Sequence, residues 1–143
     1  MINFYEFIGI LIGDGCIHYH TKHAIYGVEI TGNPVEESDY YVEISKFMES
    51  YFQKKTRIFV KEEKKGSGLR LVAYSKKIAD YLIAVGITPH KTYTVRIPEK
   101  FLKWDRARFV IRGIFETDGC LYFSKSKKIV NPTYPRLEIK TAS

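Results

Sequence analysis

The chain has 143 residues, of which 45% are hydrophobic, and its net charge is +7. This length and composition predict about one globular domain with a core of its own. No apolar run reaches the roughly 18 residues that a membrane span requires, and the N-terminus lacks the basic start of a signal peptide. The two cysteines form no Cys-x-x-Cys pair, so neither a disulfide framework nor a zinc site is expected. We therefore expect an intracellular protein, cytoplasmic or organellar, with no membrane partner.

The first 86 residues predict the element order helix, hairpin, helix, hairpin, helix. Helices are indicated by apolar residues at a period near 3.6, and strands by alternation of apolar and polar residues. The expected elements are a helix over 3–14, strands over 16–20 and 25–31, a helix starting at 33–36, strands over 56–62 and 69–74, and a helix over 75–85. In this prediction Asn33 caps the second helix and Pro34 lies in its first turn. The apolar stripe of that helix comprises Tyr40, Ile44, Phe47, Met48 and Tyr51.

The remaining residues predict a connector followed by a shorter second unit. An extended connector leads to Asp105, which is expected to cap a helix over 106–117. Two strands are expected near 120–124 and 136–141. We therefore divide the chain into a first unit (1–86), a connector (87–104) and a partial second unit (105–143).

A similar nine-residue sequence occurs in both units. The first copy reads Phe7-Ile-Gly-Ile-Leu-Ile-Gly-Asp14-Gly15, and the second reads Ile111-Arg-Gly-Ile-Phe-Glu-Thr-Asp118-Gly119, with the two aspartates 104 residues apart. An internal repeat at this spacing predicts two similar units that share one site. A single Asp-Gly at a helix end is usually only a turn, but its duplication in matched helix-to-strand contexts favours a functional role.

Small residues lie four apart in both copies, Gly9 and Gly13 in the first and Gly113 and Thr117 in the second. This spacing lets two helices approach closely, and parallel packing would bring the two aspartates together. A carboxylate is disfavoured at the negative end of a helix, and adjacent carboxylates repel, so a cation is expected between them. Oxygen ligands without His or Cys suit Mg²⁺ or another divalent cation such as Mn²⁺.

Basic and acidic residues are segregated along the chain. Residues 50–77 carry nine Lys or Arg against two acids, residues 120–143 carry five against one, and residues 29–50 carry six acids against one lysine. Basic strands with an acidic helix suit a sheet that faces phosphates, although an ordinary solvated surface is the alternative. A carboxylate-held divalent cation beside a basic sheet indicates phosphodiester hydrolysis.

The repeated nine-residue sequence resembles the motif of the LAGLIDADG homing endonuclease family. Glycine at the third position and Asp-Gly at the last two match in both copies, whereas the sixth position departs, with Ile12 and Glu116. The predicted order of the first unit is similar to the family's αββαββα unit. The resemblance implies an α+β fold with an antiparallel DNA-binding sheet, followed here by a truncated second repeat. It also implies an enzyme, a site-specific homing-type endonuclease associated with intron or intein mobility, which cuts both strands of a long double-stranded DNA.

The resemblance assigns roles by position. The implied metal site comprises Asp14, Asp118, Gly13 and Thr117, with the two aspartates as the ligands. Asp14 and Asp118 are also implied to be catalytic, together with Lys91, which is implied to lie near the scissile phosphate. Lys91 could equally be a solvated connector lysine. The residues implied to contact DNA are His18, His20, Lys22, Glu29, Arg57, Lys61, Arg70, Tyr122, Ser124, Ser126, Glu138 and Lys140.

Several of these residues keep a second interpretation. The histidines could be plain exposed strand residues, and the arginines and lysines could contact either guanine edges or phosphates. Glu6 and Glu116 lie on the motif helices and are interpreted as solvated or structural.

The partial second unit leaves three alternatives for the assembly. A two-stranded sheet without backing helices is marginal alone, and its edge invites pairing with another chain. The chain could be half of an enzyme completed by a second chain, it could form a homodimer, or it could be a decayed enzyme that binds DNA without cutting. The rival functions are a maturase-like RNA-splicing helper and a protein-interaction domain. For a protein-interaction domain, any binding to DNA would be weak and would not decrease steeply as salt rises.

Overall fold

The computed structural model describes residues 1–63, 66–89, 96–124 and 134–140. In chain order, the elements are α1 (Phe4–Gly13), β1 (Gly15–His20), β2 (Ile25–Gly32), α2 (Ser38–Phe52), β3 (Arg57–Glu63), β4 (Gly66–Ala73), α3 (Lys76–Val85), α4 (Trp104–Asp118), β5 (Gly119–Ser124) and β6 (Tyr134–Ile139). Short 3₁₀ helices cover Thr21–His23 and Glu99–Phe101. The predicted α+β class and the αββαββα order of the first unit are confirmed. In the part of the chain that the structure describes, no helix is long and apolar enough to cross a membrane.

The first four strands form one antiparallel sheet in the order β1-β2-β4-β3, and β5 pairs with β6 in a second, two-stranded sheet. Alternation along the strands turns one face of the first sheet toward the core. Ile17, Val28, Ile30 and Leu71 lie on that face and are at most 3% exposed. They share a single apolar cluster with buried residues of α1, α2 and α3, so the first unit has a complete core.

The ends of α1 and α3 follow directly from local sequence. The Asn3 side-chain oxygen accepts the Tyr5 and Glu6 backbone N–H groups at 3.0 Å, which caps the start of α1. Ser75 is the N-cap of α3. Gly86 ends α3 with φ of 112°, a left-handed conformation that glycine adopts without steric cost.

The start of α2 was predicted wrongly, because the helix begins at Ser38 and not at residues 33–36. The Asn33 side-chain oxygen accepts the Val35 N–H at 2.9 Å, and the Asn33 carbonyl accepts the Glu37 N–H at 3.0 Å. Asn33 therefore caps a separate turn that precedes the helix.

The buried stripe of α2 also differs from the prediction. Tyr41, Ile44 and Met48 are buried, whereas Tyr40 is only half-buried and Tyr51 is 44% exposed. The helical period of the apolar residues is compatible with burial of either Tyr40 or Tyr41. Packing of the helix against the sheet buries Tyr41.

The predicted cap of α4 was wrong by two residues. The helix begins at Trp104, with Lys103 in the capping position and no side-chain capping bond. Asp105 lies in the first turn instead, where its charge still favours the positive end of the helix.

α1 and α4 pack against each other through glycine. A Cβ on Gly9 would overlap the Val110 carbonyl oxygen and lie 2.9 Å from the Gly113 Cα, and a Cβ on Gly113 would overlap the Glu6 carbonyl oxygen and lie 2.9 Å from the Gly9 Cα. These contacts are reciprocal at the repeat spacing, which indicates a local twofold relation between two parallel helices. The prediction that small residues at these positions allow close packing is confirmed.

Gly9→Ala is expected to destabilise the protein. The added methyl group would meet backbone atoms of α4, which cannot move aside as a flexible side chain can, so we expect a loss of about 1–3 kcal/mol or more. Urea denaturation measures it. Gly68→Ala is the matched control, because the nearest atom to its Cβ would be the Arg70 Nε at 4.0 Å. Equal midpoints for the two variants would contradict the close helix contact.

Candidate functional site

The C-terminal ends of α1 and α4 lie side by side. A Cβ on Gly13 would overlap the Thr117 side chain and would lie 3.3 Å from the Asp118 Oδ2. Asp14 follows α1 directly and its N–H donates to the Ile10 carbonyl at 3.0 Å, while Asp118 is the last residue of α4. The two motif aspartates therefore occupy neighbouring helix ends.

The helix ends concentrate negative charge. Neither α1 nor α4 has a basic residue in its last turn, so the sequence of these turns does not offset the partial negative charge of the helix C-termini. The Asp14 carbonyl accepts the Thr31 N–H at 3.3 Å, which ties this end of α1 to β2. Burial and the charges of Asp14 and Glu37 raise the pKa of Tyr41 above its usual range, so this phenol stays neutral beside the site.

The donor set at the helix ends suits a hard cation that is also bound by a substrate. Mg²⁺ is commonly held by one or two carboxylates and takes its other ligands from water and phosphate oxygens. The Thr117 hydroxyl donates to carbonyls within its own helix, at 3.2 Å for Gly113 and 3.0 Å for Ile114. Among the described residues, no group of three or more His, Cys, Asp or Glu side chains could enclose a metal.

The outer face of the first sheet is polar and runs from β1 to β3. The strand register places Cys16 opposite Glu29, Thr31 opposite Arg70, and Arg70 opposite Phe59, so these residues share the face away from the core. The predicted DNA-contacting residues on this face are His18, His20, Glu29, Arg57, Lys61 and Arg70. The sheet therefore brings residues from all four strands onto one surface.

Glu29 lies at the centre of this face between two basic side chains. Its carboxylate accepts a hydrogen bond from the Arg70 Nη1, and its Oε2 lies 3.3 Å from the His18 Nε2. The three side chains are between 16% and 26% exposed, so the cluster is partly shielded from water.

The other predicted contact residues are distributed more widely. Lys22 lies in the 3₁₀ helix between β1 and β2, beyond the end of the strand. Tyr122 and Ser124 lie on β5, and Lys140 follows β6 with its Nζ 3.6 Å from the Glu138 carboxylate. Lys91 and Ser126 lie outside the described residues.

The sequence analysis did not name two residues that share a sheet face with predicted DNA-contacting residues. Phe59 lies between Arg57 and Lys61 on the outer face and is 39% exposed. Arg136 lies opposite Tyr122 in the second sheet and is exposed. Strand alternation was the available signal in both cases, because each residue lies two positions from a predicted contact residue.

A buried carboxylate joins the two motif helices. Glu6 is only 2% exposed, and its carboxylate lies 3.4 Å from the guanidinium of Arg112 on α4. Arg112 also lies 3.9 Å from Glu116 one turn further along. Glu6 is therefore structural and not solvated. Burial raises the pKa of Glu6, and attraction to Arg112 offsets only part of that effect.

Comparison with known proteins gives a structural likeness. No protein-family model matches the chain, and no curated protein matches its sequence significantly. A solved structure from work on mesophilic variants of the homing endonuclease I-DmoI is similar, with a TM-score of 0.52 and 19% sequence identity over 81% of this chain. This chain covers 56% of that structure. The likeness establishes the fold.

Glu6→Gln is expected to change how stability depends on pH. The folded chain holds the Glu6 proton more tightly than the unfolded chain, so the ionisation of this group lowers the free energy of unfolding as pH rises from the usual value of 4.5 through the raised pKa. Glutamine does not ionise, so the free energy of unfolding of the variant does not fall for this reason. Its free energy of unfolding relative to the wild type should therefore increase as pH rises above the usual carboxyl value of 4.5. Denaturation at several pH values measures this difference.

The matched control is Glu43→Gln. A hydrogen bond from Lys46 lowers the pKa of Glu43, so that group's contribution is present above its unfolded pKa and is lost as pH falls. The relative stability of the control should therefore change with the opposite sign. Parallel pH profiles for the two variants would contradict the assigned environment of Glu6.

Proposed function

We propose that this protein is a divalent-metal-dependent DNA endonuclease of the LAGLIDADG homing type. The observation that carries the proposal is the pair of Asp-Gly ends, which two closely packed parallel helices hold side by side. The polar outer face of the first sheet and the fold shared with a homing endonuclease structure support it. The proposed units are residues 1–86 and 105–143, with 87–104 as the connector.

In this proposal Asp14 and Asp118 bind one or more divalent cations between the helix ends, beside Gly13 and Thr117. A bound cation would supply an activated water and would neutralise the charge that develops on the leaving oxygen. Its positive charge would also reduce the repulsion between the two carboxylates and the partial negative charge of the helix ends. Mg²⁺ is the proposed ion, with Mn²⁺ as a substitute, and Lys91 remains the proposed basic residue near the scissile phosphate.

DNA is proposed to lie against the outer faces of the two sheets. Arg57 and Lys61 provide exposed positive charge on β3, at the edge of the first sheet. The cluster of His18, Glu29 and Arg70 lies nearer the middle of this sheet, where a fixed carboxylate can accept a hydrogen bond from the amino group of cytosine. Tyr122, Ser124, Arg136 and Lys140 would extend the surface across the second sheet.

Nucleic-acid binding without cleavage is the second candidate. One observation supports it, because the described residues include no group of three or more His, Cys, Asp or Glu side chains that could enclose a metal without ligands from water or substrate. An RNA-splicing helper or a decayed endonuclease would then use the same sheet faces.

Asp14→Asn and Asp118→Asn are expected to abolish cleavage while leaving DNA binding intact. Loss of a metal ligand removes several kcal/mol of transition-state stabilisation, which corresponds to at least about a hundredfold loss in rate. DNA affinity should not fall, because each change removes a negative charge near phosphates. The rate is measured with Mg²⁺ on a pool of random duplexes by sequencing new ends, and Mn²⁺ binding is measured separately by electron paramagnetic resonance.

Asp39→Asn is the control, because Asp39 is an exposed acid in the first turn of α2. Cleavage by the wild type that survives both motif substitutions would overturn the catalytic assignment. Salt-dependent DNA binding without cleavage or Mn²⁺ binding in the wild type would favour the second candidate.

Lys61→Ala is expected to weaken binding to all DNA sequences alike. If the side chain contacts a phosphate, its loss should reduce the slope of log affinity against log salt by about 1. Fluorescence anisotropy at several salt concentrations measures the slope. The control is Lys46→Ala on α2, whose ammonium pairs with Glu43 at 2.8 Å on a different surface. A wild-type slope near zero would exclude a phosphate-binding sheet and favour a protein-interaction domain.

A further inference from the structure

The charged cluster on the outer face of the first sheet holds a carboxylate in one orientation. The Arg70 Nη1 donates to the Glu29 Oε1, and the His18 Nε2 lies 3.3 Å from the Glu29 Oε2, so each carboxylate oxygen has a basic neighbour. The Glu29 side chain is 16% exposed and lies on the outer face, so it is accessible from that side. Because its neighbours already orient it, little side-chain entropy would be lost when it binds a ligand.

The packing around Glu29 also restricts its position. Val72 lies directly opposite Glu29 on β4 and shares the outer face, yet it is only 2% exposed. Neighbouring side chains therefore cover Val72 instead of extending freely into solvent. The outer face is thus packed at this point, and the place of the Glu29 carboxylate is set by the fold.

A carboxylate in this place opposes the binding of a polyanion. Arg57 and Lys61 supply exposed positive charge on the same face, whereas Glu29 repels phosphates and offsets the charge of Arg70. An ion pair on a protein surface contributes little stability. Neither affinity for the DNA backbone nor stability accounts for Glu29, which indicates a role in selecting the ligand.

The chemistry of the carboxylate limits which base edges it can bind in the major groove. An ionised carboxylate accepts hydrogen bonds and cannot donate them. Guanine and thymine present acceptors in this groove, and adenine presents its amino donor beside a ring-nitrogen acceptor. Cytosine presents an amino donor with no acceptor beside it on the same base. A fixed carboxylate therefore favours cytosine over the other three bases.

We propose that Glu29 is a specificity-determining residue that selects a cytosine in the part of the DNA target contacted by the first unit, with Arg70 and His18 as positioning residues. The inference rests on the proposed function, because it requires the outer face of the first sheet to lie against a major groove. It does not require cleavage, since the choice of base is measured by binding alone.

Glu29→Gln is expected to change the preferred base. Glutamine has nearly the same shape, but its amide both donates and accepts, so it can bind the amino group and the ring nitrogen of adenine. Selection of bound duplexes from a random pool should enrich cytosine at one position with the wild type and adenine at that position with the variant. The ratio of affinities for the two bases should change by at least about fivefold, as for one good base contact.

Two further variants separate base selection from a structural role. Glu29→Ala should remove the preference for cytosine at that position and leave the other positions unchanged. Arg70→Ala should weaken the same preference, because the carboxylate loses the guanidinium that orients it. Fluorescence anisotropy with the selected duplex and its single-base variants measures these ratios, and circular dichroism shows that each variant is folded.

Glu62→Gln is the matched control. Glu62 is an exposed glutamate on β3 of the same sheet, and strand alternation places it on the face opposite to Lys61. It removes one negative charge, as Glu29→Gln does, so a general increase in affinity for DNA is expected from both. A change of preferred base is expected from Glu29→Gln alone.

The results distinguish this inference from the proposed function. A change from cytosine to adenine at one position in Glu29→Gln, absent from Glu62→Gln, supports the inference. The same base preferences in all variants, or an equal change in affinity for every duplex, overturn it while the proposed function stands. Absence of salt-dependent DNA binding by the wild type overturns both.

Discussion

The close contact between α1 and α4 is the constraint on which the rest of the structure depends. Gly9 and Gly113 bring the two backbones so near that any side chain at either position would strike the opposite helix. Because the helices run in parallel, this contact also brings their C-terminal ends together, with Asp14 and Asp118 beside each other. A sheet follows each helix directly, so the same contact fixes where the two sheets begin.

Electrostatic forces along this helix pair act in opposite ways at its two ends. Near the N-terminal end of α1, the buried Glu6 faces Arg112, an ion pair whose partners lie on different helices. The twofold relation places Val110 where the other helix has Glu6, so pairing of two identical α1 helices would bury this carboxylate without Arg112. At the C-terminal end, two carboxylates lie where the partial charge of the helix ends is unfavourable to them.

The two units share a repeat but differ in how far the described residues cover their sheets. The first unit buries the inner face of its sheet beneath helices, whereas the equivalent face of the second unit is exposed. A two-stranded sheet gains little stability by itself, so the second sheet depends on its packing against α4, the helix of its own unit.

The sequence by itself determined the element order and the pairing of the motif helices. Helical and strand periods are local, and small residues that recur at the same place on two helices predict that those helices pack together. The sequence could not determine that Tyr41 and not Tyr40 is buried, or that Asn33 caps a turn before α2 begins, because both depend on how the helix packs against the sheet. Only tertiary structure joined Glu29 to Arg70, 41 residues apart, and Glu6 to Arg112. It also left Leu121 and Leu137 of the second sheet exposed, since burial depends on which surfaces meet in three dimensions and not on the pattern of a single strand.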